Sequence, residues 1–196
     1  GQVTDRPLME KILEICQKKG IFLFIDECFL DLTLGGEDIT MKPFLEEYRG
    51  LFLLKAFTKS YGMAGLRLGY CLSSNQQLLK TMGSQTQPWN VSIPAQAAGI
   101  AALGETEFVK AANALIHTQR PQMEQALKNL GFRVIPSRTN YILFYSPTEL
   151  REPLLTKGIQ IRSCANYPGL GEGWYRVAVK LPEENRQLME ALGEIS

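Results

Sequence analysis

The stretch Thr58–Tyr70, TKSYGMAGLRLGY, decides the fold. Lys59 stands in a loop of small residues, Arg67 follows eight positions later, and the glycines around them lead into an apolar run. A buried lysine beside a permissive backbone can form a Schiff base with a carbonyl cofactor. An arginine at a fixed reach from it can bind that cofactor's phosphate. A solvated glycine-rich turn would contain the same residues, so the rest of the chain must decide between the two interpretations.

The composition is that of an ordinary globular protein. The 196 residues are 45% hydrophobic and 21% charged, with a net charge of +1, which gives no field that would attract nucleic acid or an acidic membrane surface. No apolar run approaches the ~20 residues of a membrane helix, and no signal-peptide pattern opens the chain. Four separated cysteines and a single histidine, His117, predict reduced thiols in a cytoplasmic protein without a metal site.

Two continuous apolar runs, Ile21–Ile25 and Leu51–Phe57, predict strands of a parallel sheet that are buried on both faces. A third strand is predicted over Arg67–Ser74. The first strand follows a predicted helix that runs up to Gly20, for which Thr4 or Asp5 can serve as the N-cap, with Pro7 in its first turn. These elements indicate an α/β sheet whose second strand leads directly into the lysine loop.

A long helical pattern runs from Ser92 to Asn129, and Gly104 and Pro121 are expected to break or bend it. We interpret it as a connector between two lobes. After residue 131 short strands (FRVIP, NYILFY, IQIR and WYRVAVK) mix with helices over residues 148–157 and from Pro182, which predicts a small α+β lobe. The predicted domains are a partial large domain over residues 1–108 and a connector helix with a small C-terminal domain over residues 109–196.

Asp26 ends the first predicted strand, at the edge where ligands of open α/β sheets collect. A carboxylate in apolar surroundings there can keep a pyridine nitrogen protonated, which makes the ring a better electron sink. A helix cap or a surface ion pair is the alternative role for such an aspartate.

Together these residues resemble the lysine segment of fold-type I pyridoxal 5'-phosphate (PLP) enzymes, whose signature is S/T-K followed by G-x-R-x-G. The resemblance implies an α/β fold, with the remainder of a mainly parallel large-domain sheet and a small α+β C-terminal domain. It implies PLP as cofactor, with Lys59 as the Schiff-base lysine, Asp26 at the ring nitrogen, and Thr58 and Arg67 at the phosphate. It also implies a homodimer.

Two positions depart from the pattern of these relatives. Phe29 stands where they usually carry a tyrosine that hydrogen-bonds the ring oxygen, and Ala56 stands where they often carry a phosphate-binding serine or threonine. Each missing hydrogen bond to a charged group is worth about 1.5–3 kcal/mol, so we expect weakened phosphate binding that Thr58 and Arg67 still support.

A narrower resemblance comes from Ile161–Leu170, IRSCANYPGL, from WYRVAV and from QPWNVS. These segments resemble the threonine-phosphate decarboxylases of cobalamin synthesis, which are related to histidinol-phosphate aminotransferases. The resemblance implies a small phosphorylated amino-acid substrate, L-threonine O-3-phosphate, with Arg176 at its carboxylate and Arg162 and Asn166 near its phosphate. Which arginine binds which anion stays open.

Two alternative functions remain at this point. One is a histidinol-phosphate aminotransferase or a related class I/II aminotransferase. The other is a non-catalytic aminotransferase-like module, such as the effector domain of a regulator. Gly1 also resembles the end of the N-P-x-G motif of these families, so we expect a C-terminal part of a longer enzyme, with weak or no activity alone.

Overall fold

A computed structural model describes residues 1–195, which form two compact units. One unit comprises residues 4–112, and the other comprises residues 1–3 together with the chain from Asn113 onward. The boundary falls inside one long helix, which also contains the domain limit at residue 108 that the sequence predicts.

The first unit contains, in chain order, α1 (Arg6–Lys19), β1 (Leu23–Asp26), α2 (Gly36–Ile39), β2 (Leu51–Ala56), α3 (Phe57–Ser60), β3 (Gly69–Leu72), α4 (Gln76–Gln85) and α5 (Ile93–Leu103). Helix α6 (Thr106–Asn129) crosses the boundary and is followed by β4 (Arg133–Ile135), β5 (Tyr141–Tyr145), α7 (Arg151–Thr156), β6 (Arg162–Ser163), β7 (Trp174–Ala178) and α8 (Pro182–Gly193). Within residues 1–195 no helix is both long enough and apolar enough to cross a bilayer.

Helix α1 begins and ends as its sequence predicts. The carboxylate of Asp5 accepts a hydrogen bond from the backbone N–H of Leu8, and Pro7 lies in the first turn, where no donor is needed. Gly20 ends the helix with φ of 64°, a left-handed conformation that glycine adopts without steric cost.

The sheet of the first unit has the order β1-β2-β3, with β1 and β2 parallel and β3 antiparallel to β2. On one face Leu13 of α1 packs with Leu51 and Leu53 of β2, and on the opposite face Phe52 is fully buried. The predicted burial of the first strand on both faces is wrong for the described residues, because Phe24 is 54% exposed. Strand β1 is an edge strand. The core cluster around Leu13 covers the face of β1 that carries Leu23 and Ile25.

The long helical pattern divides at one of the two predicted breaks. Gly104 ends α5, whereas α6 continues through Pro121 to Asn129. An interior proline costs about 3 kcal/mol, and a helix keeps it when packing outweighs that cost. The buried residues of α6 recur on both sides of Pro121, at Ile116, Arg120, Met123 and Leu127.

The second unit contains an antiparallel sheet of order β4-β5-β7-β6, consistent with the predicted α+β lobe. Burial alternates along β5 and β7 as the two-residue period of a strand requires. One face carries the buried side chains Ile142, Phe144, Tyr175 and Val177. The opposite face is less buried and carries Tyr141 and Arg176.

Candidate functional site

Lys59 lies in α3, the single helical turn that follows β2. Its ammonium lies 5.3 Å from the ring centroid of Phe29, and among the described residues it pairs with no carboxylate. The side chain is exposed, so the expectation of a buried lysine is wrong for the described chain. An exposed, unpaired amine beside an aromatic face is accessible to an aldehyde.

The turn that carries Lys59 is fixed on its inner side by Phe57. Phe57 is buried, and its ring centroid lies 5.3 Å from that of Tyr61 and 5.7 Å from that of Tyr70. Thr58, between Phe57 and Lys59 in the chain, is half-buried. The direction in which Lys59 leaves the sheet is therefore set by aromatic packing.

Asp26 is the last residue of β1 and lies beside β2, with Leu54 as its register partner. Its Oδ1 accepts a hydrogen bond of 2.9 Å from the backbone N–H of Cys28, and the side chain is exposed. Burial of the Cys28 thiol, a hydrogen bond between that thiol and Asp26, and the charge of Asp26 raise the pKa of the thiol to about 11.

Arg67 stands just before β3 with φ of 53°, a left-handed conformation that costs a non-glycine residue energy. Its Nη1 donates a hydrogen bond of 3.2 Å to the carbonyl oxygen of Ala64, and the guanidinium is exposed. A guanidinium has five N–H donors, so this bond leaves capacity for an anion.

Asp26, Lys59 and Arg67 all stand at the same edge of the first sheet. Asp26 ends β1, and Lys59 follows the parallel neighbour β2. The pairing of Ala56 with Gly69 brings the start of β3, next to Arg67, to the end of β2. An amine, a carboxylate and a guanidinium at one sheet edge fit a cofactor with an aldehyde, a basic ring nitrogen and a phosphate.

A buried network that the sequence reasoning missed lies beneath this edge. Glu27 is only 4% exposed and accepts hydrogen bonds from Met41 N at 2.9 Å and from Thr40 Oγ1 at 2.8 Å. Lys55 places its Nζ 3.7 Å from Glu27 Oε2 and 2.7 Å from Asp31 Oδ1. The only feature of the sequence that pointed to this network is the position of Glu27 next to Asp26, and it does not indicate which residue Glu27 contacts.

The environment of Lys55 distinguishes it from Lys59. Burial acts to lower the pKa of Lys55, but the hydrogen bond to Asp31 and the charges of Asp31 and Glu27 outweigh burial and raise it. A lysine that is held charged by two carboxylates is a poor nucleophile. Lys55 therefore fits a structural role and Lys59 fits the reactive one.

The predicted substrate residues lie in the second unit. Arg162 and Arg176 are register partners across β6 and β7, so their side chains leave the same face of the sheet. Arg162 Nη2 donates to Asn166 Oδ1 at 3.2 Å, and its Cζ lies 5.9 Å from the ring centroid of Tyr167. Arg176 has its Cζ 5.0 Å from the ring centroid of Tyr141. The structure thus brings Arg162, Arg176 and Asn166 together.

The fold and the chemistry of the first sheet edge define the class of fold-type I, PLP-dependent enzymes. The chain belongs to the family of class I and II aminotransferases, which it matches over residues 1–192. PLP is the cofactor of this class.

The chain is similar to members of two enzyme groups in particular. The threonine-phosphate decarboxylase of Salmonella typhimurium is 35% identical over all of this chain and 54% of its own length. The crystal structure of the histidinol-phosphate aminotransferase of Clostridium acetobutylicum matches with a TM-score of 0.92 at 27% identity, over 100% of this chain and 60% of its own. That of the Sinorhizobium meliloti histidinol-phosphate aminotransferase, in complex with pyridoxal-5'-phosphate, matches with a TM-score of 0.79 at 24% identity, over 95% of this chain and 52% of its own. The chain spans about half the length of the curated relatives it matches.

Proposed function

We propose that this chain belongs to an enzyme that decarboxylates L-threonine O-3-phosphate to aminopropanol phosphate. The observation that carries the proposal is the pairing of Arg162 directly opposite Arg176 across β6 and β7. Residues in this relation have Cβ atoms about 4.5–5.5 Å apart, and like charges there repel each other. A small molecule with two anionic groups, one for each guanidinium, would relieve that repulsion.

The surroundings of the two arginines support a role in binding. Among residues 1–195 neither arginine has an ion pair with a carboxylate. Arg162 contacts the ring of Tyr167 and the amide of Asn166, and Arg176 contacts the ring of Tyr141. Arg176 also lies close enough to the amino terminus of Gly1 that its charge, after burial, lowers the pKa of that ammonium. Rings and amides orient a guanidinium without neutralising it. Both groups therefore remain available for bidentate bonds to a phosphate and a carboxylate.

The residues of the first unit supply the remaining roles. Lys59 would hold the cofactor through its Nζ and could also carry a proton there. Asp26 would keep the ring nitrogen protonated, and Arg67 with Thr58 would bind the phosphate. When bound, PLP supplies an electron sink for the bond that breaks at the substrate Cα.

Orientation of the substrate decides which bond breaks. Loss of CO2 requires the carboxylate to stand perpendicular to the cofactor ring, whereas transamination requires the Cα–H bond in that position. An arginine pair that holds the phosphate and the carboxylate at fixed points would set this orientation. The likeness to the Salmonella typhimurium threonine-phosphate decarboxylase favours decarboxylation.

Histidinol-phosphate aminotransferase is the second candidate function. It is supported by the TM-score of 0.92 with the Clostridium acetobutylicum enzyme, at 27% identity. An aminotransferase of this kind also handles anionic substrates, so the arginine pair alone does not separate the two reactions.

The experiment supplies the whole PLP-loaded enzyme to which this chain belongs with either substrate set. With carboxyl-labelled L-threonine O-3-phosphate we expect labelled CO2 and aminopropanol phosphate, and with histidinol phosphate plus 2-oxoglutarate we expect no glutamate. Lys59→Ala is the control and should form neither product. Glutamate formation without CO2 release would replace our proposal with the aminotransferase, and the absence of both products would contradict both functions.

A further inference from the structure

One carboxylate, that of Asp31, binds two residues that flank Lys59. Its Oδ1 lies 2.7 Å from Lys55 Nζ, and its Oδ2 accepts a hydrogen bond of 2.9 Å from Ser60 Oγ. Lys55 stands four positions before Lys59 in β2, and Ser60 follows it directly in α3. Asp31 therefore connects the strand end to the turn that carries the reactive amine.

This connection is buried at two of its three residues. Ser60 is 2% exposed and the side chain of Lys55 is 16% exposed, whereas the side chain of Asp31 is 36% exposed. Hydrogen bonds to charged groups are stronger where water is excluded, and a buried hydroxyl that loses its partner is left unsatisfied. The Ser60–Asp31 bond therefore restrains the turn more than an exposed bond would.

The segment that carries Asp31 also contacts the ammonium of Lys59. Phe29, two residues before Asp31, has its ring centroid 5.3 Å from Lys59 Nζ. The backbone of Lys59 is thus tied to this segment through Ser60, and its amine is tied to the same segment through Phe29. A shift of the turn would move the amine away from the ring.

We propose that Asp31 is a positioning residue that acts through Ser60 to hold Lys59 over the ring of Phe29. The proposal rests on the proposed role of Lys59 as the cofactor lysine. The hydrogen bond fixes the backbone turn, and the aromatic ring then selects one direction for the amine. A lysine held in this way meets the cofactor aldehyde in one orientation.

The test measures the reactivity of Lys59 in the cofactor-free protein. Limited acylation by an N-hydroxysuccinimide ester is quantified by peptide mass spectrometry at Lys59, relative to the exposed Lys80 of α4. An exposed cation–π contact is worth about 0.5–1 kcal/mol, so release from the ring corresponds to about a two- to fivefold rise in acylation of Lys59. We expect that rise in Ser60→Ala and in Phe29→Leu.

Ser74→Ala is the matched control. Ser74 also donates its hydroxyl to a distant partner, the carbonyl oxygen of Leu45, and it lies beyond β3, at the other end of β2 from Lys59. We expect this variant to leave the ratio of Lys59 to Lys80 acylation unchanged. An equal rise in Ser74→Ala would overturn the proposal, because general loosening of the unit would then explain both results.

Asp31→Asn separates positioning from stability. An asparagine retains a hydrogen bond to Ser60 in either amide orientation, since a hydroxyl both donates and accepts, but it loses the ion pair to Lys55. We expect this variant to unfold more easily while Lys59 acylation stays within twofold of wild type. Unchanged Lys59 acylation in Ser60→Ala, with the wild-type fold retained, would contradict the proposal.

A second readout uses the PLP-loaded protein. Borohydride reduction at a cofactor concentration near half-saturation should trap several-fold less cofactor on Lys59 in Ser60→Ala than in Ser74→Ala. If Lys59→Ala still traps cofactor at wild-type level, the proposed role of Lys59 fails, whereas the acylation result still decides whether Asp31 and Ser60 position this residue. The two failures are therefore distinguishable.

Discussion

Lys55 Nζ lies 2.7 Å from Asp31 Oδ1, whereas the ammonium of Lys59 has the ring of Phe29 as its neighbour, 5.3 Å away. The two lysines stand four residues apart at the end of one strand, yet only one of them is bound by carboxylates. Lys55 holds together the acidic residues beneath the sheet edge. Lys59 has no carboxylate partner among residues 1–195, as its proposed reactive role requires.

The first prediction concerns which lysine binds the cofactor. Reduction with borohydride followed by peptide mass spectrometry should find PLP attached to Lys59 in the wild type. Lys59→Ala should reduce the attached cofactor to background, because the neighbouring amine of Lys55 is held by Asp31 and Glu27. Lys55→Met should retain attachment at Lys59. Cofactor found on Lys55 in Lys59→Ala would give Lys55 the reactive role.

The second prediction concerns stability at alkaline pH. The pKa of Lys55 is raised in the folded chain, because the hydrogen bond to Asp31 and the charges of Asp31 and Glu27 outweigh the opposing effect of burial. Its contribution to stability is fully present below the unfolded lysine pKa of about 10.4 and is lost as pH rises through the higher folded value. The free energy of unfolding should therefore fall above about pH 10.

Urea denaturation between pH 8 and 11.5 checks this prediction with Lys55→Met. The variant should lose about 1–3 kcal/mol at pH 8, because Glu27 and Asp31 lose their cation, and it should show a weaker decline above pH 10 than the wild type. Lys80→Met, on the exposed surface of α4, is the control and should follow the wild-type curve. Parallel curves for Lys55→Met and the wild type would contradict the ion-pair assignment.

The sequence predicts the order of elements well because its signals are local. Asp5 and Gly20 mark both ends of α1, and a continuous apolar run identifies β2. Pro121 does not break α6, because buried residues on both sides of it keep the helix continuous, and such tertiary packing is not visible in a local pattern. The exposure of Phe24 was missed because a continuous apolar run does not reveal which face of an edge strand is covered.

The candidate site also contains residues that the sequence predicts and contacts that it does not. Lys59 and Arg67 follow from a short motif, and the aspartate at the end of β1 follows from the position of the strand. The bond between Asp31 and Ser60 joins residues 29 positions apart, and no spacing rule connects a loop after one strand to a turn after the next. Contacts of that kind depend on the folded packing.

The third prediction concerns the effect of Asp26 on Cys28. Burial and the nearby charge and hydrogen bond of Asp26 raise the pKa of the thiol to about 11, so Cys28 should alkylate slowly with iodoacetamide at pH 8. Asp26→Asn removes the negative charge and should lower the midpoint of the alkylation rate against pH. Peptide mass spectrometry follows Cys28, with the partly exposed Cys71 as the internal reference. A midpoint that does not move in Asp26→Asn would mean that burial alone raises the pKa.

The fourth prediction concerns the arginine pair. Because Arg162 and Arg176 face each other across β6 and β7, an anion that bridges them should stabilise the second unit. Inorganic phosphate at ten times its Kd would add about 1.4 kcal/mol to the free energy of unfolding, which corresponds to a rise in Tm of roughly 3–6 °C. Arg162→Met and Arg176→Met should each lose most of this rise.

Arg133→Met is the matched control for that measurement. Arg133 lies in the same sheet with its Cζ 5.5 Å from the ring centroid of Trp174, so it shares the aromatic contact but stands opposite Tyr145 rather than another arginine. Its replacement should leave the phosphate-induced rise in Tm intact, because the two facing guanidinium groups remain. A rise that Arg133→Met abolishes as completely as Arg176→Met would mean that phosphate responds to the net charge of the sheet and not to the pair. A rise that all three variants retain would remove the anion site from this sheet altogether.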